Sequence, residues 1–408
     1  MQLRKSRSKL AAGVLAVAAL ITVAAISTSA FGAGGLGKPN KATKSPIVLG
    51  MINLEQGPVT FPEYRLGAQA GITYVNQYLG GLKGHPIKLL TCATDGTPAT
   101  SARCANQLAA KHVVAMLGAT DTGGGGSYPV FGRKKLSVIG GVPFAPVESN
   151  AKNGVMFFSA AVADNAAATA YVNKTLHKKS LVILAGDNTQ GNYTASIVAN
   201  VAKNLGMKNK IVEVPINAAD LSASAASAIS ANPDVIFVET PEACAPMLKA
   251  LKAVGYKGAL YSIDPCAAPP VLAAAGAAAQ GMIIPGAYYE LYDNNPQAKL
   301  SAAILSKFAP KNTALDSLAV AGLSEIINLQ TASKSLPDNK LNSAGLLAFF
   351  KNGKTHPNWM AHDMLCDGKQ VPAQSASCNK WMRIYKVKGN KLVPTSNQWV
   401  AGAQYYKP

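Results

Sequence analysis

The side chains able to do chemistry in this chain sit in short polar stretches that each follow an apolar run. Gly118-Ala119-Thr120-Asp121-Thr122-Gly123-Gly124-Gly125-Gly126-Ser127 comes directly after Leu117. Its glycines free several backbone N–H groups, and a helix starting behind them would complete a cradle for a carboxylate. A flexible turn without a ligand is the competing reading. Gly140-Gly141-Val142-Pro143-Phe144 follows Ile139, Asp187-Asn188-Thr189-Gln190-Gly191 follows Ala185 with one residue between, and Glu239-Thr240-Pro241-Glu242-Ala243 follows Val238. In Ser262-Ile263-Asp264-Pro265-Cys266, the carboxylate of Asp264 suits a cation in a water-poor site, where a charge-assisted hydrogen bond is stronger than a neutral one. As the residue before Pro265 it reads equally well as a helix N-cap. Phe61, with Gln56 nearby, is placed to cover the apolar part of a ligand, and packing alone also accounts for an aromatic there.

Catalytic machinery is not visible. No G-x-S-x-G, G-x-x-x-x-G-K-[ST] or H-E-x-x-H occurs, and none of the five histidines (85, 112, 177, 356 and 362) falls in the polar stretches after the second set of strands. The cysteines number six, at 92, 104, 244, 266, 366 and 378. Their separations of 12, 22 and 12 residues favour three local disulfides, Cys92 with Cys104, Cys244 with Cys266 and Cys366 with Cys378. A bridge between Cys244 and Cys266 would fix the stretches that carry Glu242 and Asp264 and so pre-organise a pocket. With every cysteine bridged no thiol nucleophile remains, and the absence of any C-x-x-C pair argues against a metal site. The sequence implies neither enzyme activity nor a cofactor.

The elements that must position these residues alternate. Ile47 to Ile52 reads as a strand, Tyr64 to Leu79 as a helix, Ile87 to Leu90 as a strand and Ala99 to Lys111 as a helix, with strands at 113–117 and 136–139. The alternation restarts with helices at 165–175, 194–205, 223–230 and 245–254 between strands at 180–185, 211–214, 235–238 and 260–263. Two such runs predict two α/β lobes, each a doubly wound parallel sheet with right-handed crossovers. Helical stretches follow at 296–335 and 343–350, and Trp381 to Val387, Gly389-Asn390 and Leu392-Val393 read as a hairpin. The G-x-G-x-x-G match at 32–37 follows no strand and is discarded as a dinucleotide fingerprint.

Length, composition and the amino-terminal segment predict an exported globular protein of two domains. The 408 residues, 49% hydrophobic and 14% charged, exceed one ordinary core. Arg4, Lys5, Arg7 and Lys9 precede the apolar run Leu10 to Ala25, and Ser27-Thr28-Ser29-Ala30 ends it, the pattern of a secretory signal peptide over residues 1–30. An uncleaved anchor is the alternative. Residues 31–45, rich in glycine, read as a flexible linker. The formal charge of +19 falls to +15 without the signal segment. The basic residues are scattered, with no run longer than Arg133-Lys134-Lys135, so nucleic acid is not an expected partner and a solvated surface is.

The order from Ile47 to about Val393 resembles the type I periplasmic binding proteins, and within them the branched-chain amino acid (leucine, isoleucine, valine) binding family of ABC importers. The stretches that carry the resemblance are Ile47-Val48-Leu49-Gly50 with Gly57-Pro58 and Gly67-Ala68, then Gly80-Gly81-Leu82-Lys83-Gly84-His85-Pro86-Ile87, and Gly281-Met282. The resemblance implies a three-strand hinge, with crossovers near Phe158, Ala287 and Thr355. Lobe 1 would then combine 46–158 with 288–355, and lobe 2 would combine 159–287 with 356–408. It implies a small polar ligand of amino-acid or related type, gripped by hinge closure and delivered to an ABC permease by a monomer outside the cytoplasm, periplasmic or associated with the cell surface. It places Thr122 as a hydroxyl donor to the ligand carboxylate beside Gly123, Val142 as a source of backbone groups, Gln190 where relatives carry a tyrosine, and Asp264 opposite the ligand ammonium. Phe144 stands where relatives supply a hydroxyl, a departure that leaves a standard α-amino acid in question. A ligand-sensing domain that reports to a signalling partner is the runner-up reading.

Overall fold

Ile47–Leu54 (β1) is buried along nearly its whole length, as a parallel strand covered on both faces must be. It is the second strand of a five-stranded parallel sheet in the order β2-β1-β3-β4-β5, completed by Ile87–Thr94 (β2), Ala115–Leu117 (β3), Val138–Ile139 (β4) and Gly154–Val155 (β5). Helices Pro62–Tyr78 (α1), Pro98–Ala109 (α2), Gly124–Arg133 (α3) and Pro146–Ser149 (α4) fill the crossovers. The computed structural model describes residues 35–408 apart from Pro58, Phe144, Ala145, Ser159 and Ile216. The signal segment and Phe144 therefore lie outside the described residues.

The second sheet runs β14-β13-β10-β9-β8-β6-β7. Its parallel part comprises Ser180–Gly186 (β6), Lys208–Val214 (β7), Val235–Glu239 (β8), Ala259–Ser262 (β9) and Ile283–Gly286 (β10), wound with Asn165–Lys174 (α5), Thr189–Asn204 (α6), Ser222–Ile229 (α7), Cys244–Ala253 (α8) and Pro269–Ala275 (α9). The chain then returns to the first lobe as Pro296–Phe308 (α10), Ser317–Ser335 (α11) and Ser343–Phe350 (α12). A short antiparallel pair, Thr355–His356 (β11) with Met364–Leu365 (β12), leads into the hairpin of Trp381–Lys388 (β13) and Lys391–Pro394 (β14). β13 closes the second sheet antiparallel to β10, and Val400–Ala401 (β15) pairs with β13.

Alternate residues of each strand feed opposite layers. Leu181 and Ile183 join a core with α5 and α6, while Val182 and Leu184 face α8. In the first lobe Leu49 and Met51 face α1 and α11, and Ile52 and Met116 face α2 and α3. α11 is buried over most of its length and lies against α1 at backbone contact. A Cβ at Gly67 would meet Ala319 O at 2.0 Å and one at Gly322 would meet Tyr64 O at 2.0 Å, so each helix needs glycine where the other crosses it. At the lobe junction Phe158 and Tyr288 meet edge to face, 5.3 Å between centroids. These two side chains belong to different inter-lobe connections, so the hinge is packed rather than merely threaded.

Three expectations change in detail. The helical stretch from 296 to 335 is two helices, because Asp316 caps α11 through the N–H groups of Leu318 and Ala319, both at 3.0 Å. α6 begins at Thr189 rather than Thr194, since Asn188 accepts the Gly191 N–H at 2.8 Å and starts the helix one turn earlier. Of the stretch read as a tether, residues 40–44 are hydrogen-bonded to the end of α1 and to Gly84. All three disulfides form between the expected partners, Cys92 with Cys104, Cys244 with Cys266 and Cys366 with Cys378. Among the described residues no helix is long and apolar enough to cross a membrane.

Candidate functional site

In open parallel sheets the groove for a ligand lies beyond the carboxyl ends of the strands. The C-terminal end of β1 carries Asn53, whose Nδ2 donates to Glu55 Oε1 (2.9 Å) and to the Phe61 carbonyl (2.8 Å). Arg65 Nε and Nη2 hold the same Glu55 carboxylate, each at 2.7 Å. This network presents half-buried Phe61 at the start of α1.

The glycine-rich stretch after β3 behaves differently from an open cradle. Asp121 is itself buried, and its carboxylate accepts the Gly123 N–H (3.0 Å), the Ser101 hydroxyl (2.6 Å) and the Ser127 hydroxyl (3.2 Å). Burial pushes the Asp121 carboxyl up, against these three hydrogen bonds. The amino end of α3 is thus met by the chain's own anion. The glycines serve close packing, for a Cβ at Gly126 would lie 1.8 Å from Pro98 O on α2. Thr122 is exposed and its hydroxyl donates to Gly96 O at 3.3 Å. At the end of β3 a second internal carboxyl, Glu325 of α11, accepts the Tyr64 hydroxyl (3.2 Å) and the Gly118 N–H (2.9 Å), which also bonds Ile139 O (2.9 Å), and burial raises it well above the usual carboxylate range. Val142 is buried and lines a cavity of about 20 Å³ with Asp121 and Ser127, room for one water.

On the second lobe Gln190 lies in the first turn of α6, where its Nε2 donates to Thr194 Oγ1 at 3.3 Å. Thr194 also bonds the carboxyl of Glu239, which ends β8 at 2% exposure and is pushed up to about 8 by burial and by neighbouring Glu242. Glu242 is exposed. Glu239 Oε2 and Thr240 Oγ1 are buried without a hydrogen-bond partner among the described residues. The Cys244–Cys266 disulfide ties the loop after β8 to the loop after β9, as its spacing predicts.

Asp264 does not cap its helical turn. Its Oδ2 accepts a hydrogen bond from the hydroxyl of Ser317, the first residue of α11, and the contact joins the two lobes. Around it stand three acids that sequence reasoning passed over. Asp164 ends the turn Ala160–Asp164 ahead of α5, Glu290 lies in the return from β10, and Asp316 caps α11; each feels the charge of Asp264. Burial is the largest cause of every shift: it raises Asp264, raises Asp164 well above its usual value, and pushes Glu290 up to about 8 and Asp316 to about 7. Asp316 also feels Glu63 in the first turn of α1, two residues beyond Phe61. The structure therefore gathers Asp264 with Asp164, Glu290, Asp316 and Ser317, while Thr122, Gly123 and Val142 are engaged within lobe 1. A helix-cap signal at Asp316 was available to sequence reading but lay inside an apparently continuous helical stretch.

Comparison with known proteins agrees with this architecture. A profile described as periplasmic binding protein matches residues 46–389. Among curated protein sequences none matches the chain significantly. A leucine-binding protein from Thermotoga maritima superposes with a TM-score of 0.71 at 16% identity, covering 87% of this chain and 99% of its own. A leucine-, isoleucine-, valine-, threonine- and alanine-binding protein from Brucella ovis, in a closed conformation, gives 0.74 at 16%, over 89% and 97% of the two chains. A solute-binding protein of an ABC transporter from R. palustris, in complex with 4-hydroxybenzoate, gives 0.73 at 16%, over 88% and 98%. With the profile spanning most of the sequence, and two α/β sheets of the kind its solved relatives share, the chain belongs to the periplasmic binding protein family.

Proposed function

We propose that this protein is an extracytoplasmic solute-binding protein of an ABC importer, closing its lobes on a small polar solute of amino-acid or related type. The observation that carries the reading is the Asp264–Ser317 contact, made between the carboxyl end of a lobe-2 strand and the amino end of a lobe-1 helix. A ligand seated there touches both lobes and so favours the closed arrangement by its differential affinity for it. The solved relatives bind leucine or related amino acids in two cases and 4-hydroxybenzoate in another, which supports a small solute and leaves its identity to this chain's own residues.

The working division is lobe 1 at 46–158 plus 288–355 and lobe 2 at 159–287 plus 356–408, with export directed by residues 1–30 and a membrane permease as receiver. In this reading Asp264 contacts the solute, Phe61 covers its apolar part, and Gln190 and Glu242 line the lobe-2 rim. A thermal-shift screen across amino acids, amides, short acids, aromatic acids and amines tests it, because a ligand at 100 times its Kd adds about 2.7 kcal/mol to stability. Small-angle scattering on any hit should show a smaller radius of gyration. A screen in which no compound stabilises the protein counts against solute binding.

A further inference from the structure

The segment between α12 and β13 is fastened to lobe 1 at both of its ends. His356 of β11 packs against the rings of Phe349 and Phe350 on α12, at 4.6 and 5.6 Å between centroids. The Trp359 N–H donates to Asn328 Oδ1 on α11, and Asn328 Nδ2 donates to Asn358 Oδ1, both at 2.8 Å. The Trp359 indole N–H donates to Ser301 Oγ (2.9 Å) and the Met360 N–H to Gln297 Oε1 (2.7 Å), both on α10. After β12 the Cys366–Cys378 loop lies along the β5 edge of the first sheet, where Ser377 pairs in parallel with Met156 just beyond β5. Met156 N–H donates to Ala376 O (2.8 Å), Cys378 N–H to Met156 O (2.9 Å) and Ala376 N–H to Ser149 O (2.8 Å). Asn150 holds the same loop with both ends of its amide, Nδ2 donating to Ala373 O (2.8 Å) and Oδ1 accepting the Ser375 N–H (3.2 Å). Ala376 is buried in the core under α2 and α3, with Met116 and Val138.

The contacts of this segment with lobe 2 are of another kind. Backbone pairing with lobe 2 starts at Trp381, opposite Ala401 of β15, and with β10 at Arg383, opposite Gly286. Between Cys378 and Trp381 the join is the side chain of Asn379, 1% exposed. Its Nδ2 donates to His362 O (3.0 Å) and its Oδ1 accepts the Trp381 N–H (2.9 Å), so one buried amide bonds the lobe-1 segment with one end and β13 with the other. The His362 ring stacks on Trp381 at 4.8 Å and 22° and meets Trp399 edge to face at 5.8 Å. Gln374 reaches Tyr193 of α6 through its side chain. The return from β10 passes beside the same point, with Tyr289 N–H donating to Met360 O (2.7 Å) and the Tyr385 hydroxyl to Tyr288 O (2.9 Å). Paired backbones hold a fixed register, whereas packed side chains slide by small amounts as domains close.

Resting on the hinge-closing reading, we propose that residues 356–378 travel with lobe 1 and that lobe 2 turns about Asn379. The third connection between the lobes is then Asn379-Lys380 rather than a point near Thr355, and the carboxy-terminal share of lobe 2 begins at Lys380 rather than at His356. The Cys366–Cys378 loop braces the first connection at Met156 against lobe 1, and the His362–Trp381–Trp399 stack is the surface that shears. Asn379 is a positioning residue: it acts on the lobe angle and touches no solute.

The chain's three tryptophans, Trp359, Trp381 and Trp399, all lie at this junction, so intrinsic fluorescence reports on it without a label. Asn379→Ala in the unliganded full chain should enlarge the radius of gyration in small-angle scattering and shift tryptophan emission to the red, with a native circular dichroism spectrum. Hydrogen exchange read by mass spectrometry should leave residues 373–378 as protected in this variant as in the parent, because the loop stays on lobe 1. Asn150→Ala should do the reverse, losing protection over 373–376 with the radius unchanged. His362→Ala, a half-buried ring whose loss spares the backbone bonds, should move radius and emission in the direction of Asn379→Ala and serves if that variant does not fold. Radius and emission unchanged in the folded variants at Asn379 and His362, lost protection over 373–378 in Asn379→Ala, or a changed radius in Asn150→Ala overturns the proposal. None of these readouts uses a solute, so their failure leaves the thermal-shift test of solute binding standing.

Discussion

Asp264 and Ser317 lie 53 residues apart in sequence and on different lobes, yet the serine hydroxyl donates directly to the aspartate carboxylate. The bond ties the loop after β9 to the first residue of α11. It is a latch between the halves as well as a feature of the site.

Replacing Ser317 with alanine removes that latch. One charge-assisted hydrogen bond at a partly exposed carboxylate is worth about 1 kcal/mol after allowance for solvent. Ser317→Ala should lower the denaturation midpoint correspondingly and enlarge the unliganded radius of gyration in small-angle scattering. An unchanged radius would show that the packed hinge at Phe158 and Tyr288 alone sets the lobe angle.

Stability should fall as pH rises. Glu239 and Glu290 are pushed up to about 8 and Asp316 to about 7, each chiefly by burial. Glu239 is faced by Glu242 and Thr194, Glu290 by Asp264, Asp293, Asp316 and Tyr292, and Asp316 by Asp264 and Glu63. The unfolded chain releases these protons near pH 4, so between about pH 4 and about pH 8 the folded state binds more protons and loses stability with each step upward. Thermal melts of the unliganded protein should drop by a few degrees between about pH 5 and about pH 8.

The contact between α1 and α11 can be tested at single atoms. Gly322→Ala places a methyl group against Tyr64 O and should cost about 2 kcal/mol or more, read as a lower denaturant midpoint. Gly132 in α3 has open space around it, so Gly132→Ala should instead stabilise by about 0.5 to 1 kcal/mol through helix propensity. Equal effects at the two positions would contradict the packing described for α11.

The Cys244–Cys266 disulfide joins the loops that carry Glu242 and Asp264. The double substitution Cys244→Ser with Cys266→Ser should cost roughly 3 kcal/mol by the chain-entropy argument. Ligand affinity should fall beyond what stability explains, because the loops lose their fixed separation. Comparable affinity in the double variant would assign the bridge to stability alone.

Features that depend on near neighbours in the chain were readable from the residues. Leu181 to Leu184 announces a strand buried on both faces, Gly389-Asn390 announces a hairpin, and the cysteine separations announce three local bridges, all of which the structure contains. Two parallel-sheet lobes follow from the same local alternation. The break between α10 and α11 was legible only in hindsight, because apolar spacing runs up to Phe308 and resumes at Leu318 around an Asp316 whose capping role needs its N–H partners in place.

The character of the cleft was not readable this way. The glycine stretch after Leu117 looks like an open anion site until Asp121, Ser101 and Ser127 converge and fill it. Glu325 reaches Gly118 across 207 positions, and Asp264 finds Ser317 rather than its own helix turn. Periodicity and turn chemistry are set within a few bonds of each residue, so they survive in the bare order of amino acids. Which donor a carboxyl meets, how far it leaves water, and whether it keeps its proton depend on segments that only packing brings together.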